Sequence, residues 1–100
     1  MMKLQPSETV VTGNWLIRNG RVYPDAAEER IEWLIANCLQ KVKDSPNWGA
    51  WETLYKDPDD GRYWERTYPQ SEMQGGGPRQ LRLLSAEQVT QKYTIPQVQI

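Results

Sequence analysis

An apolar stripe that begins shortly after Pro24 constrains the fold of this chain more than any other sequence feature. Seven apolar residues follow one another at steps of three or four, as on one side of an α-helix: Ala27, Ile31, Leu34, Ile35, Cys38, Leu39 and Val42. This spacing predicts a helix over residues 26–43, about 27 Å long. Because the apolar side of such a helix must be buried, the rest of the chain has to supply a surface for it.

The polar residues around the stripe indicate where the helix begins and ends. Asp25 can accept hydrogen bonds from the free amides of the first turn, and Glu28 stands where it could reach back, as in a capping box. Acidic residues gather near the start, and Lys41 and Lys43 lie near the end, which complements the helix dipole.

The surface that covers the helix is predicted to be an antiparallel sheet. Residues 9–12 and 15–17 are β-prone, and Asn19-Gly20 favours a tight hairpin turn between residues 15–18 and 21–23. Residues 50–56 alternate, with Trp51, Thr53 and Tyr55 on one face and Glu52 and Leu54 on the other. A turn at 57–61, a strand at 62–68, a glycine loop at 70–78 and a strand at 79–84 follow, the last with Leu81 and Leu83 on one face.

A second, short helix is predicted near the C-terminus. Ser85 and Gln88 form a capping box, and the helix should end near Tyr93. Residues 1–7 and 94–100 carry no pattern and are expected to be loosely attached. The order of elements predicts one α+β domain over residues 1–100, an antiparallel sheet with one long helix packed on a face and a short C-terminal helix.

The residue types in the chain exclude several kinds of chemistry. The chain has no His and a single Cys, Cys38, so it cannot form a His-dependent catalytic triad, a Cys/His zinc site or an internal disulfide. Its net charge of −1 makes nucleic acid a poor partner. No apolar run is long enough to span a membrane or to act as a signal peptide, and a cytoplasmic location is expected.

Three further motifs could carry chemistry, and each has a simpler structural interpretation. The turn 57–61 resembles a calcium loop, but Lys56 and Pro58 would occupy ligand positions, and neither side chain can bind the ion. Residues 75–78 lack the Lys and Ser/Thr of a phosphate-binding loop. Glu52 and Glu65 could form a catalytic carboxylate pair, as in a small hydrolase, although surface carboxylates that face Arg62 or Arg66 explain the same pattern. Neither a metal nor a cofactor is expected.

The predicted hairpin of residues 50–68 is also rich in aromatic residues, which leaves a third interpretation open. These residues could stack on the bases of a single-stranded nucleic acid, or they could supply the core volume of a chain that has no Phe. They are Trp51, Tyr55, Tyr63, Trp64 and Tyr68.

The segment Trp51–Pro78 resembles a known family. It combines the turn and strand Asp57–Glu65 with the loop elements Tyr68–Glu72 and Gly75–Pro78, and this irregular combination is similar to the signature of the Immunity protein 27 family. The helical segment Arg30–Leu34 also fits, so the resemblance covers roughly residues 8–93. The chain departs from the family pattern at two positions. It has Gln74 where the family usually has His, and Arg79 where the family has a second Pro after the one that matches Pro78.

The resemblance implies a non-enzymatic role in bacterial polymorphic toxin or contact-dependent inhibition systems. Such a protein binds one copy of a cognate toxin domain, and no small-molecule substrate, nucleic acid or membrane is expected as a partner. Residues 44–72 contain seven acids and three bases, so they could occupy the basic groove of a toxin that is a nuclease. The candidate toxin-binding residues are Glu52, Asp57, Asp59, Asp60, Arg62, Trp64, Glu65 and Glu72.

Overall fold

The structure, a computed structural model, describes residues 3–71 and 77–93. In chain order the elements are β1 (Val10–Thr12), β2 (Trp15–Arg18), β3 (Arg21–Pro24), α1 (Ala26–Asn37), β4 (Gln40–Ser45), β5 (Gly49–Lys56), β6 (Tyr63–Thr67), β7 (Gln80–Leu84) and α2 (Ala86–Tyr93). Five strands form one antiparallel sheet in the order β1-β7-β6-β5-β4, and β2 pairs with β3 in a separate hairpin. The predicted α+β class is confirmed.

The two helices cover opposite faces of the sheet. Ile31 and Leu34 of α1 are fully buried in a core cluster that also contains Tyr55, Trp64 and Leu81. On the other face, Val89 and Tyr93 of α2 are fully buried against Leu54 and Leu84. The neighbours Leu54 and Tyr55 therefore point to opposite faces, which confirms the alternation predicted for this strand.

The first helix is shorter than the sequence predicts. It ends at Asn37, and residues 40–45 form β4, so the prediction of a helix to residue 43 is wrong. Cys38, Leu39 and Val42 have the spacing of a helix, but β4 pairs with β5 as the edge strand of the sheet. This pairing supplies hydrogen-bond partners for backbone groups of β4 in place of a helix. Lys41 and Lys43 consequently lie on a strand, and no basic residue occupies the last turn of α1.

Of the capping box predicted at the start of α1, one of the two hydrogen bonds forms. Asp25 caps the helix, since its Oδ1 accepts from the backbone N–H of Glu28 at 2.8 Å. Glu28 does not reach back to Asp25, because its carboxylate accepts from the backbone N–H and the Nε of Arg79, at 2.8 and 2.7 Å. Both helix and β7 are thereby locked together next to Gly13, which lies against Glu28.

The smaller turn and cap predictions are confirmed. Asn19 and Gly20 both have positive φ, at 53° and 75°, in the tight turn between β2 and β3. Ser85 and Gln88 exchange hydrogen bonds of 2.8 and 3.1 Å at the start of α2. Leu81 and Leu83 both pack against the α1 cluster.

The segment before β1 is attached to α1 and to the turn between β5 and β6. Leu4 is buried, and Glu8 accepts two hydrogen bonds, of 2.6 and 2.7 Å, from the guanidinium of Arg30. Arg62 also donates to the backbone carbonyls of Gln5 and Glu8, each at 3.1 Å. These contacts fix residues 3–8, while residues 94–100 lie outside the described part of the chain.

Candidate functional site

The acidic turn between β5 and β6 is held together by hydrogen bonds among its own residues. Asp57 accepts from the N–H of Asp59 at 2.9 Å and is almost completely buried, and Gly61 takes a positive φ of 77°. Burial, with Asp60 nearby, raises the pKa of Asp57 above its ordinary value. The side chain of Asp57 therefore shapes the turn and is hardly accessible to a partner.

Cations from elsewhere in the chain neutralise much of the acidic segment. Asp59 pairs with Lys3, and Asp44 lies 3.4 Å from Lys41. Asp60 pairs with Arg62 at 2.6 Å, but Arg62 belongs to the same stretch and is already one of its three bases. Lys3 and Lys41 thus offset part of the negative charge that residues 44–72 show as an isolated stretch.

Glu65 forms the centre of a charged network under α2. Its carboxylate is fully buried and accepts from Arg82 Nε at 2.9 Å, from Lys92 Nζ at 2.7 Å and from Tyr93 OH at 2.7 Å. Lys92 Nζ also contacts Glu52 at 2.8 Å. The interpretation of Glu65 as a surface carboxylate facing Arg62 or Arg66 is wrong, because it points into the α2 face, where Arg82 lies directly across from it on β7.

The network keeps Glu65 ionised. Burial raises the pKa of Glu65, but the hydrogen bonds from Lys92, Tyr93 and Arg82 outweigh burial, and the pKa ends below its ordinary value. Burial lowers the pKa of Lys92, and its contacts with Glu52 and Glu65 reverse this, so that it too stays charged. A general acid needs a raised carboxyl pKa, so the geometry does not favour a catalytic pair.

An open aromatic groove lies at one end of the sheet, beside this network. It has a volume of about 600 Å³, and its lining includes Trp48, Trp51, Tyr68 and Pro69 around a floor that contains Glu52 and Arg82. Thr67, Ser71 and Gln80 complete the lining. We call this surface the aromatic groove.

Two tryptophans give the aromatic groove its character. Trp48 is 64% exposed and Trp51 is 51% exposed. The Trp51 ring meets the Tyr68 ring edge to face, with centroids 5.3 Å apart, and the Arg66 guanidinium lies 5.0 Å above Tyr68. Arg66 is itself anchored by donation to Thr53 Oγ1 at 2.9 Å. The aromatic wall is therefore preformed.

The aromatic groove gathers only part of the predicted site. Glu52 lines it, whereas Asp57, Asp59, Asp60 and Arg62 lie around the β5–β6 turn. Trp64 is fully buried in the α1 core, and Glu65 is buried beneath α2, so neither side chain reaches the surface. Glu72 and Gln74 lie outside the described residues. The role of these residues in toxin binding stays a prediction.

Sequence reasoning did not assign a role to Trp48. It stands in the short turn between β4 and β5, next to Gly49, the first residue of β5. A tryptophan in a tight polar turn is the signal that could have identified it. Residues 3–71 and 77–93 contain no group of three or more His, Cys, Asp or Glu side chains that could hold a metal ion.

Comparison with known proteins places the chain in a family. The model of the family described as Immunity protein 27 matches residues 17–85. Neither a curated protein nor a solved structure showed significant similarity to the chain. No helix in the described part of the chain is long and apolar enough to cross a membrane. Because the match extends over more than half of the sequence, the chain belongs to the Immunity protein 27 family.

Proposed function

We propose that this immunity protein neutralises a cognate toxin domain by binding it through the aromatic groove. The observation that carries the proposal is the pair Trp48 and Trp51, which stand exposed on the wall of a preformed groove. Tryptophan, tyrosine and arginine dominate the energetics of protein interfaces. The aromatic groove presents all three residue types within one surface, since Tyr68 and Arg82 also line it.

The energy available from the two tryptophans is large enough to matter. An aromatic side chain buries about 150 to 250 Å², and apolar burial contributes about 25 cal/mol per Å². Removing the exposed halves of Trp48 and Trp51 from water would therefore contribute about 2 to 3 kcal/mol each. Trp51 is already held by its edge-to-face contact with Tyr68, so little of its contribution is lost in ordering the free protein.

We further propose that binding is one-to-one and takes place in the cytoplasm. The single aromatic groove on each chain, among the described residues, supports one toxin per immunity protein. The free Cys38 fits a reducing compartment.

A nuclease as the toxin remains one proposal for the partner. The acidic turn that motivated it retains Asp59 and Asp60 at the surface, both paired with cations of the chain. Replacement of both by Asn should slow association at low salt if the turn meets a basic groove. Unchanged association rates would remove the acidic turn from the interface.

The two alternative functions gain less support. A carboxylate-dependent hydrolase would need a protonated acid, whereas the network keeps Glu65 charged. A nucleic-acid surface would need available cations around the aromatic residues, whereas Arg66, Arg82 and Lys92 are each engaged by acceptors of the chain. Family membership also favours protein binding over catalysis.

The experiment is co-expression with a candidate toxin domain chosen from the genes that flank this one. Wild-type protein should restore growth and should co-elute with the toxin, burying roughly 1,200 to 2,000 Å² in the complex. Trp48→Ala combined with Trp51→Ala should abolish protection, whereas Val42→Ala, an exposed apolar residue on β4, should preserve it. Equal killing with and without wild-type protein, and no co-elution, would refute the function for that toxin.

A further inference from the structure

The hairpin β2–β3 exposes more apolar surface than its position in the fold explains. Ile17 is 76% exposed and Val22 is 55% exposed, and Leu16 and Tyr23 are each more than 40% exposed. Neither core cluster of the described residues contains a residue of this hairpin. An isolated two-stranded hairpin is only marginally stable in water, so this element gains the most from a partner.

The cross-strand register sorts the hairpin residues onto two faces. Ile17 lies opposite Val22 on one face. On the other face, Leu16 lies opposite Tyr23 and Arg18 lies opposite Arg21.

The two arginines form a cationic tip. Like charges directly opposite each other destabilise a hairpin. Within residues 3–71 and 77–93, no carboxylate forms an ion pair with Arg18 or Arg21. This tip is therefore complementary to an anionic partner.

The hairpin starts from the same end of the sheet as the aromatic groove. Gln80 lines the aromatic groove, and its Nε2 donates to Thr12 Oγ1 at 3.0 Å. Only Gly13 and Asn14 separate Thr12 from the first residue of β2. Three residue steps span at most about 10 Å, so a single partner domain can touch both surfaces.

We propose that the β2–β3 hairpin is a second docking surface for the toxin, and that it receives an apolar segment flanked by carboxylates. This rests on the proposed function, since it assigns a further contact to the same partner. Arg18 and Arg21 pair with the carboxylates, and Leu16 and Tyr23, which share their face of the hairpin, cover the rest of the segment.

The observations favour this partner over two others. A second copy of the chain would meet each face with only two exposed apolar side chains, which falls short of the roughly 800 Å² per partner in a stable interface. On the arginine face, it would also bring like charges together. A nucleic acid is disfavoured because two cations on a chain of net charge −1 release few counterions.

The test measures binding of an inactive variant of the toxin domain that the wild-type protein neutralises in co-expression to two hairpin variants. Arg18→Glu with Arg21→Glu should weaken binding at least about tenfold and should slow association most at low salt. Leu16→Ser with Tyr23→Ser, on the same face as the arginines, should raise the dissociation rate at least about tenfold. Lys41→Glu and Val42→Ser on β4 serve as the matched charge and apolar controls, and both should bind like wild type.

Each outcome separates this inference from the proposed function. If wild type binds and both hairpin variants bind within about twofold of it, the inference is wrong while the function stands. If wild type does not bind, both are wrong. A dimer of the chain alone that the hairpin variants dissolve would assign the hairpin to a second copy and overturn the inference. Hairpin-dependent retention of single-stranded RNA would overturn it as well.

Discussion

Replacement of Glu65 by Gln tests whether the buried charge network serves the fold. The substitution keeps the shape of the side chain but removes the negative charge that three donors share. Breaking a fully buried ion pair costs about 3 to 5 kcal/mol. Here the side chains of Arg82 and Lys92 remain 48% and 26% exposed and can regain water, and Lys92 keeps Glu52.

We therefore expect Glu65→Gln to lower the free energy of unfolding by about 2 to 3 kcal/mol at pH 7. For a domain of this size, this lowers Tm by roughly 8 to 24 °C. Urea unfolding followed by tryptophan fluorescence measures the change. The slope of the free energy of unfolding against urea concentration should be the same in both proteins if the two-state transition is preserved. Glu87→Gln on the exposed side of α2 is the control and should change stability by less than about 0.5 kcal/mol.

The pH dependence supplies the sign of the same prediction. Because the folded pKa of Glu65 lies below its ordinary value of 4.5, its contribution is complete above that value and is lost as the pH falls through the folded pKa. The difference between wild type and Glu65→Gln should therefore shrink only below about pH 4.5. A loss below 0.5 kcal/mol at pH 7, or a difference that grows in acid, would refute the structural role.

Two further predictions concern the attachment of β1 and its neighbours. The bidentate contact with Arg30 lowers the pKa of Glu8 to about 2, so Glu8→Gln should reduce stability by about 1 to 3 kcal/mol at pH 7. That loss should fade between pH 4.5 and pH 2, and a pH-independent loss would contradict the assigned cause. Gly13→Ala would place a Cβ 2.5 Å from Glu28 Oε1 and 3.0 Å from Arg79 O, and since the Glu28–Arg79 lock cannot yield freely, thermal unfolding should show a loss of about 2 kcal/mol. An unchanged Tm would mean that the Glu28–Arg79 contact can shift to accept the added methyl group without loss of stability.

Local patterns predicted those parts of the fold that depend on neighbouring residues. The turn at Asn19, the cap at Asp25 and the two-sided strand around Leu54 all follow from short-range rules. The end of α1 does not, because helical spacing continues through Val42 while the pairing of β4 with β5 replaces it. A tertiary contact decided this boundary, and the sequence pattern contains no trace of that contact.

The candidate site was less accessible to sequence reasoning for a related reason. The charge of the acidic turn was counted along the chain, but Lys3 and Lys92 reach it or its strands from positions far away in sequence. Trp48 and Arg82 lie 34 positions apart in the sequence, and they line the same groove only in the folded protein. Both properties emerge only when the chain is folded.

Isothermal titration of the inactive toxin domain into the wild-type protein tests the central claim most directly. The proposed function predicts saturable binding with one toxin per chain, and at least about a hundredfold weaker binding for the Trp48→Ala/Trp51→Ala variant. The Val42→Ala control should retain the wild-type dissociation constant. Absence of binding by wild type would contradict the function, and wild-type affinity in the tryptophan variant would contradict the aromatic groove as its site.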